Sequence, residues 1–360
     1  IYSMENIKVQ VSSEVGELDA IIVHTPGQEV ENMTPKNAER ALYSDILNLS
    51  VALKEYSQFE SVLKRYSNVY YVNDLLIDVL KQEDSKKKLL SEICGNESMS
   101  EICDTLSDVP PKELATMLIE GVIMQKNTLT KYLNDTRYSL RPLHNFFFMR
   151  DSAIAYGCNL FISKMASPVR EREAKIMNLI FREHPLFQAD TKNPYESDMI
   201  NPLMSFEGGD VIVLNEDILL IGLSQRTSSY GIDYIIDHLN KNNSTRHVIV
   251  QELPQSPESF IHLDMTFTCL SENEFMVYKP LIIDSNHFHT LHITLDGGKV
   301  NKIEEENNII KILNKLQFDV NPIYCGGNND QYIQEREQWH SGTNFFALAP
   351  GKIIGYKRNV

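Results

Sequence analysis

Four stretches of the chain share one pattern of apolar and polar positions. Asp151 to Lys164, Asp210 to Leu223, Asp264 to Tyr278 and Asn344 to Lys357 each open on Asp or Asn and run apolar. Each then turns on polar or Gly residues and runs apolar again. Two such runs around a short turn predict a β-hairpin, and four at recurring spacing predict a repeat. Helical spacing follows the first two, over Pro168 to Arg182 and Thr227 to Asn240, and the second leads into an apolar strand, His247 to Gln251. The unit is therefore ββαβ. A weaker copy begins with Leu18 to His24, continues through a helical Asn37 to Arg65 and ends in Asn68 to Val72. Five units about an axis would bring each hairpin-opening residue near the centre, as propeller-like repetition does.

Residues 78–135 break this pattern. They are rich in Lys, Glu and Leu at helical spacing, and Pro110 and Pro111 ahead of Lys112-Glu113-Leu114 mark a helix start. The expected division is thus an α/β domain over 4–77 and 136–360 with an all-helical insertion over 78–135; Ile1 to Ser3 precede Met4 and are set aside. Gln188 to Asn201 and Glu304 to Asn308 are polar and are expected as loop or helix-start segments.

Composition narrows the class. With 360 residues, 42% hydrophobic and 23% charged, the chain can bury a sizeable core. A formal net charge of −15 argues against a nucleic-acid binder and favours small cationic ligands. Lys86 to Lys88 sit among acidic residues and read as a solvated helix face. Neither a long apolar run nor a signal-like N-terminus is found, so a cytoplasmic protein without membrane contact is expected. Cys94, Cys103, Cys158, Cys269 and Cys325 are scattered and never in a CxxC spacing, which predicts reduced thiols.

Three charged clusters stand at hairpin edges: Phe148 to Asp151, Glu207 to Asp210 and His262 to Asp264. A guanidinium is planar, cationic and rich in N–H donors, so Asp151 and Asp264 are candidates to bracket one. His262 is the candidate acid/base, Glu207 its partner, and Arg170 or Arg226 could meet an amino-acid carboxylate. Singly, Asp151, Asp210 and Asp264 read as turn residues capping backbone N–H groups. Gly208-Gly209 marks a tight turn or a close approach. Alternation puts His262 and Asp264 on one strand face. Recurrence at equivalent positions lifts the functional reading. His287, His289 and His292 lack a completing carboxylate or Cys and read as structural, and no nucleotide or zinc-protease motif is present.

In order along nearly the whole chain, the segments Gly16–Pro26, Asn145–Asp151, Glu207–Asp210, Gly222–Thr227, His262–Asp264, Arg336–Asn344 and Tyr356–Asn359 resemble bacterial arginine deiminases of the guanidino-group modifying superfamily. The resemblance implies a five-bladed α/β propeller (the pentein fold) and hydrolysis of free L-arginine to citrulline and ammonia, with no cofactor or metal. It implies that Asp151 and Asp264 hold the guanidinium and that His262 and Glu207 transfer protons. Asn145, Phe148, Arg170 and Arg226 would line the amino-acid end. Ser152 replaces the family's usual proline, a change expected to touch the hairpin entry. The family's nucleophilic cysteine lies in a glycine-rich segment past the Tyr356–Asn359 motif and is expected beyond Val360. Cys325 belongs to another part of the pattern. Two rival readings stay open: a non-catalytic arginine-binding relative, and a hydrolase of another guanidine such as agmatine, whose missing carboxylate would leave Arg170 and Arg226 unused. A homo-oligomer is also compatible with the sequence.

Overall fold

The computed structural model describes residues 6–38, 42–43, 45–96, 100–196, 200–239 and 246–359. It is mixed α/β and divides into two compact units: Ile1–Ile7, Ala20–Ser152 and Ser167–Gln188 in the first, Lys8–Asp19, Ala153–Ala166 and Ala189–Val360 in the second. The helix Glu171–Glu183, counted in sequence as part of a repeat, packs on Val72–Leu80 and Glu83–Asn96 and so joins the helical region's unit.

In the first unit, Ala20–Val23 pairs in parallel with Asn68–Tyr71. Of the helical stretch expected between them from Asn37 to Arg65, the structure describes a short helix Pro35–Ala38 and the helix Leu49–Tyr66, where the Asn48 side chain accepts from Val51 N and caps it; part of the stretch between them lies outside the described residues. The helix Pro111–Glu120 begins at its proline as expected. It ends at Gly121, whose φ of +85° and close approach to the Leu140 carbonyl suit glycine. Leu76, Val79, Leu80, Leu114, Leu118, Ile176 and Ile180 are buried among these helices. Glu83–Asn96 and Ser100–Ser107 are tied by a Cys94–Cys103 disulfide, which corrects the expectation of five reduced thiols. Contact between the two helices brings the two Cα atoms to 6.3 Å, a proximity that residue spacing alone does not show.

The second unit holds the repeats. Ala153–Tyr156 and Asn159–Ile162 form a hairpin, and Asn159–Ile162 pairs in parallel with Asp190–Lys192. Gln188 to Asn201, expected as loop or helix start, holds a 3-10 turn at Pro194–Glu196 but also the polar strand Asp190–Lys192, which completes the repeat because backbone pairing needs no apolar side chains. Val211–Val213 and Ile218–Leu223 form the next hairpin, followed by the helix Ser229–His238 and the parallel strand His247–Glu252; Asn240, the expected helix end, lies outside the described residues. Phe267–Cys269, Glu274–Val277 and Asn321–Tyr324 repeat the plan. The fourth hairpin is Phe346–Ala349 with Lys352–Ile354.

The second sheet is extended by Thr290–Asp296 and Lys299–Glu306. Glu304 to Glu306 are thus strand rather than loop, while Asn308 caps the helix that follows. Period-two alternation sends Ile212, Leu220 and Ile249 to one core, with Ile309, Ile312 and Leu313. Val211, Val213, Leu219 and Val250 go to the other, with Ile232, Ile235 and Ile236. Burial on both faces explains why these strands read as continuous apolar runs.

Candidate active site

In the first unit, the backbone turns from Asn145 to Asp151 around one arginine. Asp151 ends the 3-10 turn Met149–Asp151, and Ser152, in place of the family's proline, sends its hydroxyl back to the Met149 carbonyl (3.3 Å) to close the hairpin entry. Arg170 Nη1 donates to Asp151 Oδ2 at 2.7 Å, and its Nη2 reaches the carbonyls of Asn145 and Phe148, both at 3.4 Å. Its Nε and Nη2 also meet Glu173. Asn145, Asp151 and Arg170 are buried, and the Phe148 ring is exposed. Below them, Tyr43 donates to the His144 carbonyl at 3.0 Å, and burial pushes its hydroxyl pKa far up, so it stays a neutral donor. His24 and Glu29, at the end of the first matched segment, form a buried pair at 3.0 Å.

In the second unit, Glu207 is fully buried and its Oε2 lies 3.0 Å from His262 Nε2. Its Oε1 accepts from Ala166 N at 3.1 Å and stands 3.5 Å from Arg226 Nη1. An imidazole beside a carboxylate is held in one orientation and can both give and take a proton.

The glycines of this unit have steric reasons. A Cβ on Gly209 would fall 2.5 Å from His262 Nδ1, and one on Gly222 would fall 2.3 Å from Asp210 Oδ1. Asp210 accepts from Leu263 N at 2.9 Å and from the Ser224 hydroxyl at 2.6 Å, so for this residue the turn-capping reading holds. Burial, the dominant influence, lifts its pKa to about 7, against the favourable His262 charge and these hydrogen bonds.

The segment Gly222–Thr227 ties these parts together. Ser224 Oγ also accepts from Arg226 N and Thr227 N, and Thr227 Oγ1 accepts from Glu207 N. The segment Arg336–Asn344 grips the histidine loop: Gln338 Nε2 donates to the carbonyls of Ser259 (2.6 Å) and Met265 (3.1 Å), and Asn344 Nδ2 to that of Asp264 (3.2 Å). Asn359 Nδ2 in turn donates to the His340 and Ser341 carbonyls.

One sequence argument is corrected. His262 is extended, but Leu263–Met265 is a 3-10 turn, so His262 and Asp264 do not share a strand face; the strand starts at Phe267. Instead the turn delivers Leu263 N to Asp210. Cys325 is buried, and that burial pushes its thiol up to about 12, far from a reactive thiolate. His289 pairs with Glu305 (2.7 Å) and His292 with His247 (3.0 Å). Glu173 lies outside every matched segment, while Gly222 and Ser224 stand in the matched segment Gly222–Thr227 without a role of their own. The i, i+3 spacing of Arg170 and Glu173 at a helix start was the available signal for the first.

A sequence model of the arginine deiminase family matches residues 39–360. The chain belongs to the arginine deiminase family. It is 32% identical over 371 residues to the arginine deiminase of Limosilactobacillus fermentum, covering 98% of this chain and 89% of that one. It is likewise 32% identical over 363 residues to that of Mycoplasma capricolum, covering 98% and 88%. Among solved structures, SxtG, an amidinotransferase from Microseira wollei, is 14% identical and covers 95% of this chain and 84% of that one. Its TM-score of 0.47 is too slight a likeness to say anything of the fold. The segments that resemble arginine deiminases in sequence are, in the second unit, those joined by the hydrogen bonds described above. Among the described residues, no helix is long and apolar enough to cross a membrane.

Proposed function

We propose that the protein hydrolyses the guanidinium of free L-arginine to citrulline and ammonia. The observation that carries this reading is the buried Glu207–His262 pair, held by segments that lie within residues 39–360, the part that matches the arginine deiminase family. Asp151 and Asp264 are assigned to the substrate guanidinium, and Asn145, Phe148, Arg170 and Arg226 to the amino-acid end. The nucleophile is a cysteine thiolate, assigned to chain beyond Val360, because buried Cys325 is poorly suited to the role.

In this scheme the thiolate attacks the guanidinium carbon. His262 gives a proton to the departing nitrogen, the C–N bond breaks and ammonia leaves, which yields a covalent thiouronium. His262, now neutral, takes a proton from water; the hydroxide adds, the C–S bond breaks to release the thiolate, the remaining O–H proton passes to solvent and citrulline departs. Glu207 steadies the imidazolium formed on the way. The repeats are assigned to a five-bladed propeller, and the protein to the cytoplasm. The test is citrulline release by the full-length protein from L-arginine. One citrulline and one ammonia per arginine are expected; no citrulline, or a preference for agmatine, overturns the reading.

A further inference from the structure

Three segments of the first unit converge on His144, the residue immediately before the turn from Asn145 to Asp151. The first is the short helix Gln28–Glu31, whose Glu29 carbonyl oxygen meets His144 Nδ1 across 115 positions of sequence. A carbonyl oxygen only accepts, so Nδ1 carries the proton. Burial, the largest influence, lowers the His144 pKa against the pull of that hydrogen bond and of the Glu29 charge, and the buried ring stays a neutral donor. From the second segment, the Tyr43 hydroxyl donates to the His144 carbonyl at 3.0 Å. The peptide that carries this carbonyl also carries the Asn145 N–H and is planar, so Tyr43 orients the first bond of the turn. In the third, the Ile119 carbonyl accepts from Leu143 N at 2.9 Å, one residue ahead of His144.

The group that holds the imidazole is itself held. Glu29 is 1% exposed; its Oε1 accepts from Gly27 N at 2.6 Å and lies 3.0 Å from His24 Nε2. The His24 ring in turn packs 5.3 Å, centroid to centroid, from Phe146, two residues past His144, so the pair closes back on the same turn.

We propose that His144 is a positioning residue which, tied to Glu29 and Tyr43, sets the turn from Asn145 to Asp151 in the conformation that binds arginine. The inference rests on the assignment of Asn145, Phe148 and Asp151 to the substrate. A turn that carries several ligand-facing groups loses affinity when its backbone shifts, because all of those groups shift with it. The proton-transfer pair, Glu207 and His262, is carried by other segments, so the effect falls on binding more than on the chemical step.

The test uses the full-length protein and L-arginine, with KM and kcat from steady-state kinetics, Kd from calorimetry and Tm from a thermal melt. His144→Leu removes the ring donor and is expected to raise KM and Kd together by roughly tenfold, the scale of one lost buried hydrogen bond. The same variant is expected to change kcat by less than about threefold, the signature of lost binding rather than lost chemistry. His144→Asn, whose amide nitrogen can stand where Nδ1 stands, is expected to recover most of the loss. Tyr43→Phe, which removes the other tie, is expected to raise KM and Kd in the same sense and serves where the leucine variant does not fold. A lower Tm with KM and Kd unchanged would make His144 structural and overturn the proposal. A fall in kcat with KM unchanged, or an asparagine variant no better than the leucine one, would overturn it as well. Should the wild type release no citrulline, the reaction assignment falls while the calorimetric Kd values still decide the role of His144. A wild type that neither binds nor hydrolyses arginine removes both.

Discussion

The imidazole of His262 occupies the space that a side chain on Gly209 would fill: a Cβ there would stand 2.5 Å from Nδ1 and 2.6 Å from Cγ. The ring cannot keep its 3.0 Å contact with Glu207 if that space is taken. Gly209→Ala is therefore expected to lower kcat/KM for arginine by roughly a hundredfold, the scale of a misplaced catalytic group. Steady-state kinetics with a thermal melt checks it; near-wild-type turnover would show that the ring has room to shift.

Replacing Glu207 by Gln keeps a similar shape but removes the charge facing His262 Nε2. Proton-transfer partners of this kind contribute roughly 10²–10⁴-fold. Glu207→Gln is expected to lose kcat on that scale while arginine still binds, as measured by single-turnover kinetics and calorimetry. Retained kcat would remove Glu207 from proton transfer.

Asp210 makes stability depend on pH with a definite sign. Its folded-state pKa is raised by burial to about 7, from the ordinary 3.8 of a solvated aspartate. Between these values the unfolded chain has released a proton that the folded chain keeps. Stability from this group therefore falls as pH rises from about 4 to about 7 and is level above, a cost on the order of 4 kcal/mol. Asp210→Asn, whose carbonyl still accepts from Leu263 N, is expected to flatten that slope. Urea melts at pH 5 and pH 8 read the difference; an unchanged slope would mean that Asp210 is ionised throughout.

The thiols give a separate check. With Cys94 bonded to Cys103, Cys158, Cys269 and Cys325 stand outside any disulfide. Peptide mapping after alkylation in denaturant without reductant should modify Cys158, Cys269 and Cys325 and leave the other two untouched. With the Cys325 thiol pushed up to about 12, native protein near pH 8 should not be alkylated there, and Cys325→Ala should leave kcat for arginine unchanged. Loss of turnover in that variant would return Cys325 to candidacy.

Much of this architecture could be read along the chain because hairpins announce themselves by local alternation and turn residues. The four hairpins lie where the apolar runs put them, and the strand His247–Glu252 follows its helix as expected. The misses share a cause. Asp190–Lys192 is polar and is a strand only through its partner Asn159–Ile162, and Glu304–Glu306 only through Thr290–Leu291 and His292. Neither pairing leaves a local trace.

By itself the sequence determined the repeat, the glycine and carboxylate clusters and the family's segments, since those depend on neighbours within a few residues. Tertiary structure alone decided which groups meet: Glu207 with His262 across 55 positions, Asp210 with Leu263 across 53, Gln338 with Ser259 across 79. It also decided that Cys94 bonds to Cys103. Such contacts are set by how buried charges find partners once the core has formed, a condition that no window of sequence contains.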